Sequence, residues 1–294
     1  MSKKLKGTGV ALVTPFRKDG SIDFKGIENL VEHCVTNKVN FLVPLGTTGE
    51  TATLNKNEKT AVLDFIIETN NKRLPIVYGL GGNNTQDIVN CIHETDFSGI
   101  DALLSVSPFY NKPSQKGIYQ HYKMIASAVP VPLILYNVPG RTGSNMTAET
   151  SLSLAHDLQN IIGIKEASGN IEQMMQILKS RPKDFLVYSG DDALTLPSIA
   201  LGADGVISVA ANAFPKAVVE LNNLALKGQF EKARDLHYQL IDIFNLLFVE
   251  GNPSGIKAAL NIIGICSDSV RLPLTTVSKA TYNKMAVLVN ELKN

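Results

Sequence analysis

The chain has 294 residues, of which 44% are hydrophobic and 19% charged, with a formal net charge of +1. That length suits one large α/β unit or two smaller ones with a full hydrophobic core. The balanced charge argues against a nucleic-acid surface, a basic membrane face or a disordered chain.

At the N-terminus Lys3, Lys4 and Lys6 precede an apolar stretch that ends at Pro15, too short for a signal-peptide core. No run approaches membrane-spanning length, so a cytoplasmic protein is expected. Strand candidates then follow at Gly9–Val13, Phe41–Leu45, Pro75–Tyr78, Ala102–Val106, Leu133–Tyr136, Ile161–Ile164, Phe185–Tyr188 and Gly205–Val209. Several lack polar alternation, as expected of parallel strands covered on both faces. Longer amphipathic segments separate them, and Asn55 with Glu58, Ser114 and Asn170 read as helix N-caps. Eight such units predict a (β/α)8 barrel over residues 1–228. From Gln229 onward no strand is convincing. Phe230–Val249, Gly255–Ile265 and Thr276–Leu292 predict a three-helix extension, residues 229–294.

In such a barrel, chemistry gathers at the C-terminal ends of the strands. Those ends carry Gly46-Thr47-Thr48-Gly49-Glu50, Tyr110, Tyr136 with Arg141, Lys165, Gly190, and Ile207 with Ser208. Each has an ordinary explanation: a snorkelling lysine or an ion pair with Glu166, a core tyrosine, a solvated arginine, a tight turn. Their joint placement favours an enzyme. Lys165 follows the apolar run Ile161–Ile164, and partial burial makes a neutral, nucleophilic amine accessible. Lysine, tyrosine and arginine together suggest Schiff-base chemistry on a carboxylate-bearing carbonyl compound. No metal is expected, because the five histidines lie away from the strand ends and no cysteine pair has ligand spacing. Cys34, Cys91 and Cys266 read as buried thiols of a reducing compartment. A Ser-His-Asp hydrolase motif is missing as well.

The segments Gly9–Phe16, Gly46–Glu50, Tyr136–Gly143, Gly163–Gly169 and Arg271–Leu274 resemble the 4-hydroxy-tetrahydrodipicolinate synthase (dihydrodipicolinate synthase) family. That family belongs to the pyruvate-dependent class I aldolases, which include the N-acetylneuraminate lyases. The resemblance implies condensation of pyruvate with L-aspartate 4-semialdehyde, in lysine and diaminopimelate biosynthesis. It implies Lys165 as the Schiff-base lysine, Tyr136 as acid/base, and Thr47 with Tyr110 as a proton relay, Tyr110 reaching in from a neighbouring subunit. Thr48 would hold the pyruvate carboxylate and Arg141 the carboxylate of the aldehyde. Gly190 and Ile207 would offer backbone carbonyls. The covalent lysine–pyruvate imine replaces any cofactor, and the assembly expected is a homotetramer, a dimer of dimers. An allosteric lysine pocket would fall on Thr51, Ala52, Lys56, Lys59, Asn83, Asp87 and Phe109. Its two extra cations and missing tyrosine hydroxyl predict weak or absent feedback. The alternatives are an N-acetylneuraminate lyase or another pyruvate aldolase, and a keto-acid sensor without catalysis.

Overall fold

The computed structural model describes residues 2–292, and the side chain of Lys3 lies outside the described residues. Among the described residues eight strands are present: β1 (Gly7–Ala11), β2 (Phe41–Val43), β3 (Val77–Gly79), β4 (Ala102–Val106), β5 (Leu133–Asn137), β6 (Ile161–Glu166), β7 (Leu186–Ser189) and β8 (Gly205–Ser208). All pair in parallel, in the order β2-β1-β8-β7-β6-β5-β4-β3. The two ends of that order meet through a bridge between Leu42 and Ile76, which closes a TIM barrel. The seam is thin. Leu42 N–H donates to Pro75 O (3.0 Å) and Gly79 N–H to Pro44 O (2.9 Å), while Pro44 has no N–H with which to extend the ladder.

The helices are α1 (Phe24–Thr36), α2 (Lys56–Asn70), α3 (Thr85–Glu94), α4 (Gln115–Ala128), α5 (Pro139–Thr142), α6 (Ala148–Asp157), α7 (Ile171–Ser180), α8 (Thr195–Ala200), α9 (Pro215–Leu226), α10 (Phe230–Leu246), α11 (Ser254–Ile262) and α12 (Lys279–Glu291). The expected caps are in place. Asn55 and Glu58 form a reciprocal capping box on α2, Ser114 caps α4 through Gly117 N–H, and Asn170 caps α7 through Gln173 N–H. Helices α10 to α12 form the C-terminal extension, with Leu240, Ile243, Leu247, Met285 and Val289 buried in the outer core and Val287 left exposed.

The apolar residues separate into two layers, as strand alternation requires. The outer layer lies between strands and helices. The inner one fills the barrel with Ala11, Phe41, Val43, Val77, Leu104, Ile134, Tyr136, Leu186, Tyr188 and Ile207. Leu5 joins it, and its carbonyl accepts from Tyr188 Oη at 2.8 Å. The cysteines depart from expectation in part: Cys34 is buried, but Cys91 within α3 and Cys266 beyond the end of α11 are only half-buried. Among the described residues no helix is long and apolar enough to cross a membrane.

Candidate active site

Strand β6 decides where Lys165 points. The register against β5 slips by one residue, from Leu133 opposite Ile161 to Ile134 opposite Gly163. Ile162 therefore packs against the inner layer while Ile164, two residues later, packs in the outer one. A bulge of this kind reverses the alternation downstream of it. Lys165 is delivered to the interior, in register with Tyr136 on β5 and Tyr188 on β7. The apolar run predicted a strand ending at Ile164; in fact Lys165 and Glu166 both carry the ladder onward.

Lys165 is only 4% exposed, and its Nζ lies 4.4 Å from the centroid of the Tyr136 ring. It takes no ion pair or hydrogen bond among the described residues. Glu166 faces the other way and is saturated. It accepts from Asn137 Nδ2 (3.1 and 3.2 Å), Gln173 Nε2 (2.9 Å) and Ser168 N–H (2.7 Å). The Lys165–Glu166 pair considered above is thus excluded. Gly190, held by its N–H to Glu166 O at 2.8 Å, leaves the space that the lysine occupies. A Cβ there would lie 3.0 Å from Lys165 Cε and 2.5 Å from Ala167 Cβ.

Tyr136 borders a cavity of about 480 Å³, lined also by Thr47 and Arg141 together with Tyr78, Val138 and Thr142. Lys165, Thr48, Gly190 and Ile207 are not on its wall; Ile207 belongs to the packed inner layer beneath it. Arg141 sits exposed on the short helix α5 and makes no ion pair among the described residues, so its guanidinium fork is available to a carboxylate. Tyr110 stands apart. It is 85% exposed, has a left-handed backbone (φ 75°), and does not reach Tyr136 within this chain.

Four of the residues assigned to a lysine pocket, Thr51, Ala52, Lys59 and Phe109, line the same cavity. Lys56, Asn83 and Asp87 do not. Lys56 forms an exposed ion pair with Glu94 at 2.7 Å.

The extension contributes more than the sequence reading foresaw. Asn252, Pro253, Pro273 and Leu274 complete the cavity wall. Asn252 Nδ2 donates to Thr48 Oγ1 at 3.0 Å. Two residues after Thr48, Glu50 adopts a left-handed conformation (φ 54°) and meets Lys257 Nζ at 2.5 Å, both side chains fully buried. Arg271 N–H donates to the second Glu50 oxygen (3.0 Å), and its guanidinium grips Glu58 in a fork (2.9 and 2.5 Å). That fork holds the Glu58 carboxyl down at about 2. Arg271 and Lys257 both lie over the Phe16 ring, at 4.5 and 4.2 Å. Beneath the other rim, buried Asp192 accepts from Ser208 Oγ and from the N–H groups of Val209 and Ala210, and burial raises its pKa. Among the described residues no cluster of three His, Cys, Asp or Glu could hold a metal ion.

The profile of the Dihydrodipicolinate synthetase family matches residues 4–292. The chain belongs to that family. A 4-hydroxy-tetrahydrodipicolinate synthase of Phocaeicola vulgatus is 52% identical over 290 residues, covering 99% of this chain and 98% of the relative. The dihydrodipicolinate synthase structure from Aquifex aeolicus superposes with a TM-score of 0.95 at 40% identity, covering 98% of each chain. A monomeric dihydrodipicolinate synthase variant gives 0.96 at 38% identity, covering 99% of this chain and 97% of the other. Membership in the family favours the synthase over the neuraminate lyase alternative. Because one neighbour is monomeric, the family fold alone does not set the number of subunits.

Proposed function

We propose that this chain condenses pyruvate with L-aspartate 4-semialdehyde to give 4-hydroxy-tetrahydrodipicolinate, the reaction for which its relative is named. The Lys165 amine adds to C2 of pyruvate, and loss of water leaves an imine. The imine makes the adjacent methyl acidic enough to lose a proton and form an enamine. The enamine carbon attacks the aldehyde, whose oxygen takes up a proton. The amine of the semialdehyde then displaces Lys165 from the imine carbon and closes the ring.

The observation that carries this reading is a buried lysine free of any carboxylate, stacked on a tyrosine at the floor of a cavity rimmed by an unpaired arginine. Tyr136, beside both the amine and the cavity, serves as acid/base with Thr47 on the same wall. Thr48 holds the pyruvate carboxylate and Arg141 that of the aldehyde, while Gly190 and Ile207 offer backbone carbonyls. Tyr110, exposed and turned outward, completes the relay in a neighbouring copy, in a cytoplasmic homotetramer built as a dimer of dimers. Residues 1–228 form the barrel unit and 229–294 an extension that finishes its mouth. Feedback by lysine is weak or absent, because Lys56 and Lys59 add cations and Phe109 lacks a hydroxyl.

The test is borohydride reduction in the presence of pyruvate, followed by peptide mapping. An adduct on Lys165 is expected; no adduct, or one mapped elsewhere, rejects the mechanism. Coupled assays with aspartate semialdehyde and with N-acetylneuraminate separate synthase from lyase.

A further inference from the structure

We propose that Asn252 sets the polarity of the Thr48 hydroxyl, so that Thr48 presents a hydrogen rather than a lone pair to an anionic substrate. The inference rests on the reading above, in which Thr48 holds the pyruvate carboxylate.

A hydroxyl offers one donor and two acceptor positions. Asn252 Nδ2 fills an acceptor position of Thr48 Oγ1 at 3.0 Å, with Asn252 7% and Thr48 3% exposed. Among the described residues nothing accepts the Thr48 hydrogen. It is left for an oxygen that the protein does not supply, and a carboxylate accepts but cannot donate. With the hydrogen bond reversed, the lone pairs of Thr48 would face that carboxylate and repel it.

The rest of Asn252 agrees with a role set by its donor end. Its Oδ1 is buried and has no partner among the described residues, so within the chain the amide is held through its donor end. Asn252 comes from a segment 204 positions away from Thr48 in sequence, just ahead of α11. The same helix sends Lys257 to Glu50, two residues beyond Thr48. The extension therefore grips one short turn twice: the ion pair locates it, and the amide orients its hydroxyl. Asn252 acts through Thr48 and is a positioning residue.

The isosteric Asn252→Asp variant decides the matter, because an ionised aspartate can only accept and would turn the Thr48 hydroxyl around. Steady-state kinetics with pyruvate and aspartate semialdehyde are measured for Asn252→Asp, Asn252→Ala, Thr48→Val and the Thr48→Val/Asn252→Ala double variant. Thermal melts verify folding. Near pH 8, where aspartate is ionised, Asn252→Asp should raise the pyruvate KM about tenfold or more, as for a lost hydrogen bond to a charged group, and Asn252→Ala, which frees the hydroxyl without reversing it, should raise it less. Their kcat and the aldehyde KM should stay within about threefold. Lowering the pH should restore pyruvate binding in Asn252→Asp relative to Asn252→Ala, because a protonated carboxyl can donate again. In the Thr48→Val background Asn252→Ala should add nothing. A wild-type pyruvate KM in Asn252→Asp near pH 8 would show the amide turned the other way and overturn the proposal. So would additive losses in the double variant. The wild-type adduct on Lys165 is the control: its absence sinks the functional reading and this inference together, whereas its presence beside unaffected Asn252 variants sinks this inference alone.

Discussion

Among the described residues Lys165 and Lys257 are the buried lysines, and they are buried on opposite terms. Each Nζ lies over an aromatic ring, Tyr136 for one and Phe16 for the other, at 4.4 and 4.2 Å. Lys257 also has a carboxylate, Glu50, and the carbonyl of Ser269 at 2.9 Å. Burial still pulls its pKa below the ordinary lysine value, against the opposing pull of Glu50. Lys165 has the ring and no anion. An unpaired amine is costly to bury, and a paired one costs less while losing its freedom to react. One lysine is therefore fitted to hold two parts of the chain together, and the other to form a bond.

The largest effect that would break this contrast concerns Lys165 itself. Lys165→Met should abolish the borohydride adduct and lower kcat on the order of 10⁴-fold or more, as expected when a nucleophile is removed. Its urea midpoint should stay level or rise. A midpoint that fell with it would mean that Lys165, too, is structural. Lys257→Met should do the reverse, losing about 3–5 kcal/mol of stability in urea melts because Glu50 is left charged and buried. Adding Glu50→Gln should recover much of that loss; if it does not, the pair is not what anchors α11.

A smaller effect is expected at Gly190. Gly190→Ala sets a methyl against Ala167 and the Lys165 stem, an overpacking worth about 1–3 kcal/mol. Adduct formation with pyruvate should slow, and an unchanged rate would show that the lysine has room to spare. The smallest concerns the outer end of the Lys257 anchor, where Arg271 holds the Glu58 carboxyl at about 2, below its ordinary 4.5. A depressed carboxylate contributes stability in full above its unfolded value and loses it as pH falls toward the folded value. Wild-type protein should therefore lose stability between about pH 4.5 and 2 more steeply than Glu58→Gln in parallel melts.

The barrel was legible because parallel strands with both faces covered read as unbroken apolar runs, and Leu133–Tyr136 or Ile161–Ile164 announce themselves. What continues a ladder beyond such a run is backbone pairing, which side-chain character does not reveal; hence β6 extends through Lys165 and Glu166. The bulge that turns Lys165 inward falls at Gly163, a lone glycine within the apolar run, a signal that the sequence reading passed over. Lys165, Tyr136, Thr47 and Arg141 could be found because strand ends are places in a pattern. Asn252, Lys257 and Arg271 sit in helical or irregular chain about 200 residues from the turn they support, where no periodicity singles out a partner. The Gly251-Asn-Pro-Ser-Gly255 cluster was the available hint. A Cβ at Gly255 would lie 2.1 Å from the Leu247 carbonyl oxygen, so the chain must pass unusually close there.

Pro44 has a final consequence, since it both ends the β2–β3 ladder and stands two residues before the Gly46–Glu50 turn. A wall with one short row of pairings gives way sooner than its neighbours. Transient breathing of the barrel should begin along this line, and the Gly79 amide should exchange with deuterium ahead of the amides shared by β5 and β6. The longer β5–β6 pairing that carries Tyr136 and Lys165 would then stay closed while this seam opens, leaving the amine undisturbed.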